Sequence, residues 1–444
     1  MKLLHLNNMY KKISYITALM VVLASITVEA QITTQSPYSK FGVGNIKGML
    51  LPQLKAMGGI STGVYKPYDF YNNTINMQNP ASYAGIGLTT IDIGLSTNLV
   101  TLKSGSIKEN NFNATLSHFA IGIPVNSHSA MSFGILPYSE TGYQFTNRLD
   151  LGNGQQADYI YAGEGGLTKA YIGYGYRIGH LNLGANAEYT FGNLLRSRST
   201  ELVVDPTVAN NTINSRMQDK NSVGGINFSY GLQYDIALNS KTSIIIGYSG
   251  SSASKLSSTT SNVVTQYRKD GTTELTAIDT LPGSAAVEGK LKLPLMHNFG
   301  FTVQKMNKWM FGADYRIGKW SEYSVHGVNQ GLQDTYGVSV GGQITPDFNS
   351  IGNYFDRVDY RLGVKYDKTY INLQNQDIKQ MAITFGLGLP LARNINNQAF
   401  YRMNFSTEIG KRGTTNNGLL QENFINFHLG FTLNDRWFRK FKFD

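Results

Sequence analysis

"VGGINFSYGLQYDIALNSKTSIIIGYSG", Val223 to Gly250, decides the fold. In its first half Ile226, Phe228, Tyr230, Leu232, Tyr234, Ile236 and Leu238 take alternate positions, with Asn227, Ser229, Gly231, Gln233 and Asp235 between them. A period of two sends the two sets to opposite faces of a β-strand. Asn239-Ser240-Lys241 then reverses the chain into a second strand, where Ile244, Ile246 and Tyr248 keep the pattern. The product is a long hairpin with one apolar and one polar face. A soluble β-sandwich alternates too, but its strands usually run to about six residues, whereas a tilted strand crossing a bilayer needs roughly ten. Val223–Leu238 is longer than either, which favours a membrane barrel.

Lys2, Lys11 and Lys12 precede the apolar run Ile13–Ile26, and Val28-Glu29-Ala30 offers a small-x-small cleavage site. Residues 1–30 therefore read as an export signal, with Gln31 as the mature start. After it no apolar stretch reaches the roughly twenty residues of a membrane helix. Backbone in lipid must be paired internally, so a closed barrel is the remaining way to span. Forty-seven Gly, 27 Tyr and 22 Phe in 444 residues, with 15% charged, suit aromatic girdles and a crowded lumen. No cysteine is present, which excludes disulfides and thiolate metal sites. The net charge of +10 falls to +8 without the signal, and the Lys and Arg are scattered, so no nucleic-acid surface is read; contact with outer-membrane lipid is expected instead.

Residues 31–88 lack strand-length alternation and contain one helical piece around Leu51–Met57. From Thr89 fourteen strands are expected, and residues 89–444 form the barrel: Thr89–Thr101, Asn111–Pro124, Ser129–Gln144, Gly166–Arg177, Leu181–Leu194, Ser222–Leu238, Thr242–Ser252, Lys290–Gln304, Trp309–Ile317, Gln333–Gln343, Val358–Asp367, Lys379–Leu389, Ala399–Gly410 and Glu422–Leu433. Connections after strands two, four, six and eight are very short; those after three, five and seven are long, the longest running from Ala253 to Gly289. Short turns on one rim and long loops on the other is the outer-membrane arrangement. With the aromatic and aliphatic face turned to lipid, the lumen receives Asp92, Arg177, Glu188, Asp235, Asp314, Arg316, Arg361, Lys365, Arg402, Glu408 and His428. Acids and bases nearly balance. That suits salt bridges around an interior plug better than the single-sign ring of an ion-selective pore.

"NPASYAG" (Asn79–Gly85), "LPLMHNFGFTVQKMNKWMFGADYRIGKWSEY" (Leu293–Tyr323), "DYRLGVKYD" (Asp359–Asp367) and "ITFGLGLPL" (Ile383–Leu391) resemble, in order and spacing, the FadL/TodX family of outer-membrane hydrophobic-compound transporters. The resemblance implies a fourteen-stranded barrel blocked by an N-terminal hatch over residues 31–88. It also implies a hydrophobic small-molecule ligand, captured outside and released sideways through a gap at a kink in the third strand. The family's hatch motif falls on Asn79, Pro80 and Ala81. Some FadL-like barrels instead serve as adaptors in type IX secretion, so a secretion or assembly-complex partner is the alternative, and fold alone does not decide between them. In the third strand, "SAMSFGILPYSETGYQF", Pro137 lacks the amide a strand interior needs and forces a bulge, a bend or a lost ladder bond, while Gly134 and Gly142 let the chain bend. This is what a lateral gap requires. The other reading is a proline that ends the strand early. On the first reading, Pro137→Val, or a disulfide across strands two and three, is expected to stop lateral passage while sparing barrel assembly.

No cofactor, metal or catalytic motif is expected. "FGVGNIKG" (Phe41–Gly48) lacks the spacing and the Lys-Ser/Thr of a phosphate loop. His128 and His180 fall in short turns, and His118, His297, His326 and His428 belong to separate strands or loops, with no hydrolase pattern.

Overall fold

The computed structural model describes residues 36–65, 74–152, 154–203, 212–270, 273–283, 285–394 and 399–435; the export signal read at 1–30 lies outside them. Fourteen antiparallel strands form one ring: β1 (Thr89–Ser104), β2 (Ile107–Asn126), β3 (Ser129–Gly152), β4 (Gln155–Ile178), β5 (Leu181–Val203), β6 (Asn214–Ala237), β7 (Thr242–Ser251), β8 (Met296–Lys305), β9 (Trp309–Gly318), β10 (Thr335–Ile344), β11 (Asp359–Leu373), β12 (Gln376–Asn394), β13 (Ala399–Gly413) and β14 (Gln421–Asp435). β14 pairs back onto β1 from Thr89↔Asp435 to Lys103↔Gln421, which closes the sheet into a ring. In the β6 stretch, Ile226, Phe228, Leu232 and Tyr234 are exposed on the outer surface, while Asn227, Ser229 and Gln233 are buried inside. The apolar face is the lipid face. This is an all-β outer-membrane-type barrel with a polar interior.

All fourteen expected strands are present, but several are longer than the sequence indicated. β3 and β4 each run to 24 residues and meet in a tight hairpin at Gly152–Gln155, where a long loop was expected. At about 3.3 Å per residue these strands rise far beyond the ~25 Å apolar band. The expected loop Ala253–Gly289 is also largely β-structure: Ser254–Tyr267 pairs with the upper half of β6, and Asp279–Pro282 and Val287–Leu293 pair with it in turn. Outside the membrane both faces of a sheet meet water, so nothing enforces alternation and the sequence loses its two-residue signature. The eighth strand expected at Lys290–Gln304 is two strands, because Pro294 interrupts the ladder between Leu293 and Met296. One connection on the short-turn rim, from Ile344 to Asp359, is long.

Inside the barrel sits the N-terminal segment as a plug, its short helix α1 (Pro52–Lys55) falling within the expected Leu51–Met57. The plug lies so close to the wall that glycine is required there. A Cβ on Gly341 would stand 2.3 Å from the Met57 carbonyl oxygen, and one on Gly184 2.3 Å from the Pro80 carbonyl carbon. Gly341→Ala is therefore expected to cost about 1–3 kcal/mol through overpacking. A lowered midpoint of the heat-modifiable gel shift, with the barrel still assembled, is the readout.

Candidate functional site: a parted ladder and the chamber behind it

β2 and β3 pair only from Asn126↔Ser129 up to Phe119↔Ile135. Above that level they separate. A one-residue bulge lies at the same height on each strand. On β3 the register to β4 shifts between Pro137 and Ser139, and the inward set changes from Ser132 and Leu136 to Ser139, Thr141 and Tyr143. On β2 the register to β1 shifts at Gly94/Leu95, opposite His118 and Leu116, leaving Ser117 as the extra residue. A bulge bends its strand and raises its twist, so paired bulges splay the two strands apart. Gly134 sits one rung below the last, where a Cβ would stand 2.3 Å from the Phe119 carbonyl oxygen.

The plug covers the β3 side of the opening. Asn45 and Ile46 pair with Glu140 and Ser139, the Lys47 amide donates to the Tyr138 carbonyl at 3.0 Å, and the Ser36 amide donates to the Gly142 carbonyl at 3.0 Å. Ser39 Oγ accepts from the Gly142 amide at 3.0 Å. β2 has no such partner: among the described residues no strand pairs with its free side from Ile107 to His118. A side-chain bond crosses the opening, and a plug lysine holds its acceptor on the β3 side. Asn113 Nδ2 donates to Glu140 Oε1 at 2.8 Å, and Lys47 Nζ lies 2.6 Å from Glu140 Oε2.

Asn79, Pro80 and Ala81 are elsewhere in the lumen. Asn79 is fully buried, its Nδ2 donates to the Thr62 carbonyl at 2.7 Å, and its Oδ1 accepts from the Ala81 amide at 3.2 Å, capping the 3-10 turn Pro80–Gly85. That turn packs on β4, β5 and β6. The piece beside the opening is Ser36–Lys47, which overlaps the glycine-rich Phe41–Gly48 but was not expected at the third strand.

Most of the expected lumen charges are paired. Asp314 Oδ2 accepts from the Ser61 and Thr62 amides at 2.8 and 2.9 Å and from both hydroxyls. Glu188 pairs with Lys169 at 2.7 Å, Arg316 with Asp367 at 2.8 Å, and Lys365 with Glu408 at 3.0 Å. Asp359 holds both Arg361, at 2.8 Å, and Arg402. Arg177 and Asp235 stand near the short-turn rim, where Arg177 reaches the Ser127 carbonyl at 3.0 Å. Lys169, Asp359 and Asp367 were missed, although each shares the parity of an inward neighbour. Asp92 is bonded to His118 at 2.7 Å and to Thr432 at 2.7 Å, and Ser117 Oγ meets the other His118 nitrogen at 2.8 Å. This Ser-His-Asp chain is a packing device: His118 and Asp92 are 1% and 0% exposed, and the imidazole covers Gly94, leaving no room for a substrate.

Between plug and wall lies a chamber of about 450 Å³, whose lining includes Lys55, Lys169, Glu188, Lys365, Glu408 and His428. Lys55 belongs to the plug rather than to a spanning strand, and burial lowers its pKa to about 8. Ile46, Asn113 and Thr115, at the parted ladder, also line the chamber. At the long-loop end an apolar cluster that includes Tyr38, Val43, Trp320, Tyr323, Leu332 and Tyr370 covers the barrel, with Trp320 and Tyr370 rings 4.7 Å apart. Plug and loops thus meet in a packed core at one end of a chamber lined by both ion pairs and apolar side chains.

Solved structures share this architecture at low sequence identity. The Ralstonia pickettii toluene transporter TbuX is 15% identical, covering 88% of this chain and 100% of its own, with a TM-score of 0.54. The Pseudomonas putida toluene transporter TodX is 13% identical over 89% and 100%, with a TM-score of 0.56. A Pseudomonas aeruginosa FadL homologue is 12% identical over 90% and 99%, with a TM-score of 0.51. At such identities the likeness establishes the fold, a FadL-type barrel, and nothing finer. No curated protein sequence matches this chain. The match that carries sequence rather than shape is to the model of the BamG family, and because it runs from residue 9 to residue 444, plug and all fourteen strands included, the chain belongs to the BamG family.

Proposed function

We propose that this chain is a non-transporting barrel subunit of an outer-membrane assembly complex. The observation that carries the proposal is the match to the BamG family over residues 9–444, with the chamber as a secondary support. A channel for hydrophobic compounds calls for an apolar, ligand-sized pocket reached from the long-loop side. Here the space is amphipathic: the Lys169–Glu188 and Lys365–Glu408 pairs share its wall with Ile46, Leu50, Val100 and Phe424, and a packed apolar cluster lies at its long-loop end. The BamG designation, which points to the barrel assembly machinery, supports the same reading. Depletion of the chain is expected to lower the folded, heat-modifiable fraction of other outer-membrane barrels while leaving toluene and fatty-acid uptake unchanged. The reverse pattern would overturn the proposal.

A second reading, uptake of hydrophobic small molecules with sideways release, is favoured by the parting of β2 from β3 at Pro137. The neighbours TbuX and TodX are described as toluene transporters. On this reading Gly134, Pro137 and Gly142 form the gate strand and Asn79–Ala81 steady the hatch. Uptake measured in cells with and without the chain separates the two readings.

A further inference from the structure

We infer that the open edge of β2, from Asn110 to Ser117, receives a β-strand from another outer-membrane barrel protein. The inference deepens the assembly-subunit reading and rests on it. The stretch reads "NNFNATLS": no charge and no proline, the residues with which natural edges protect themselves against pairing. On its other side it is laddered to β1 from Asn110 to Leu116, so its backbone is held extended. Across the opening, β3 is taken by Asn45–Ile46, and nothing described pairs with the β2 side.

The chemistry of this edge selects its occupant. A row of amide N–H and carbonyl groups lies at the depth where Phe112 and Leu116 face outward, 57% and 54% exposed. Acyl chains supply neither donors nor acceptors, so a lipid tail leaves that row unsatisfied. A peptide strand satisfies it by extending the sheet. The side chains specify the strand further. Phe112 and Leu116 point outward, while the polar Asn113 and Thr115 line the chamber. An added strand in register must be apolar outward and polar inward, which is the alternation of a transmembrane barrel strand. The Asn113–Glu140 hydrogen bond that crosses the opening is between side chains and opens without breaking a ladder bond.

The test uses the purified chain in detergent and a peptide copying its own β14, Gln421–Asp435, which carries this alternation with Ile425, Phe431 and Leu433 outward. A scrambled peptide of the same composition is the control. Because the chain has no cysteine, Thr115→Cys provides a single thiol. A cysteine walked along the peptide is expected to form disulfides at every second position, and none is expected with Val340→Cys on a distant lipid-facing strand, 49% exposed. Thr115→Lys, an edge-protecting charge, is expected to weaken peptide binding at least about tenfold with the heat-modifiable shift unchanged. Equal crosslinking of the scrambled peptide, equal reaction at Val340→Cys, binding indifferent to Thr115→Lys, or Thr115→Cys chains that link to one another instead would each overturn the inference. Co-purification of other barrels with the wild-type chain is scored separately. Its loss refutes the assembly reading, whereas its persistence without peptide crosslinking refutes the edge alone.

Discussion

Asp314→Ala is expected to loosen the plug and turn a closed barrel into one that conducts. A single carboxylate oxygen on β9 accepts four hydrogen bonds from Ser61 and Thr62, two of them from main-chain amides. The other wall contacts to this part of the plug run in the opposite sense. Gln233 Nε2 donates to the Thr62 carbonyl at 2.9 Å, Thr302 Oγ1 to the Gly63 carbonyl at 2.7 Å, and Gln304 Nε2 to the Tyr65 carbonyl at 3.0 Å. In these three contacts the wall donates, so none of them supplies the Ser61 and Thr62 amides with an acceptor. Removing the carboxylate leaves buried N–H groups unpaired at ~1–3 kcal/mol each, a loss on the order of 4 kcal/mol. In planar bilayers the wild type is expected to stay closed and the alanine variant to open in bursts, with its heat-modifiable midpoint lowered. Asp314→Asn keeps one acceptor and should fall between them. An alanine variant with a wild-type trace and midpoint would mean that the plug is held elsewhere.

That Asp314 faces the lumen follows from parity alone, since Tyr315 and Phe311 take the lipid side and Asp314 falls between them. The same argument places Arg361, Lys365 and Glu408 inside, and it would have placed Lys169, Asp359 and Asp367 there too. Which charge meets which is another matter. Glu188 on β5 bonds Lys169 on β4, and Lys365 on β11 reaches Glu408 on β13, so the pairing depends on register and strand tilt, which parity does not encode. The upper halves of β3 to β6 were illegible because water on both faces removes the constraint that writes alternation into sequence. Pro137 was legible as a break in a strand. The partner that covers it was not, because Ser36–Lys47 binds β3 through backbone groups a hundred residues away, and such bonds leave no trace in side-chain pattern. One overlooked signal was present. On β2 the outward set Phe112, Ala114 and Leu116 gives way to inward His118 and Ala120 at the same parity, and a parity change inside one strand announces a bulge.

Those two parity changes specify the last experiment, deletion of Ser117 together with Pro137. Pro137→Val restores the missing amide but keeps the residue count, so the bulge on β3 persists. Deleting Pro137 instead makes the inward series Ser132, Leu136, Ser139 and Thr141 continuous at a period of two. Deleting Ser117 does the same for β2, joining outward Phe112 and Leu116 to the strand below. With neither strand bent, the ladder that now stops at Phe119↔Ile135 is expected to extend upward and to displace Asn45–Ile46 from its place on β3. Amide exchange in the Asn110–Leu116 stretch should slow by at least about tenfold, because backbone groups open to solvent become paired. Unchanged exchange there would show that something other than the bulges holds the strands apart. The functional consequence then separates the two roles of the opening. If it passes hydrophobic compounds, uptake falls while partner barrels still assemble. If it takes a partner strand, crosslinks from β2 disappear and assembly of the other barrels fails, with uptake of toluene untouched.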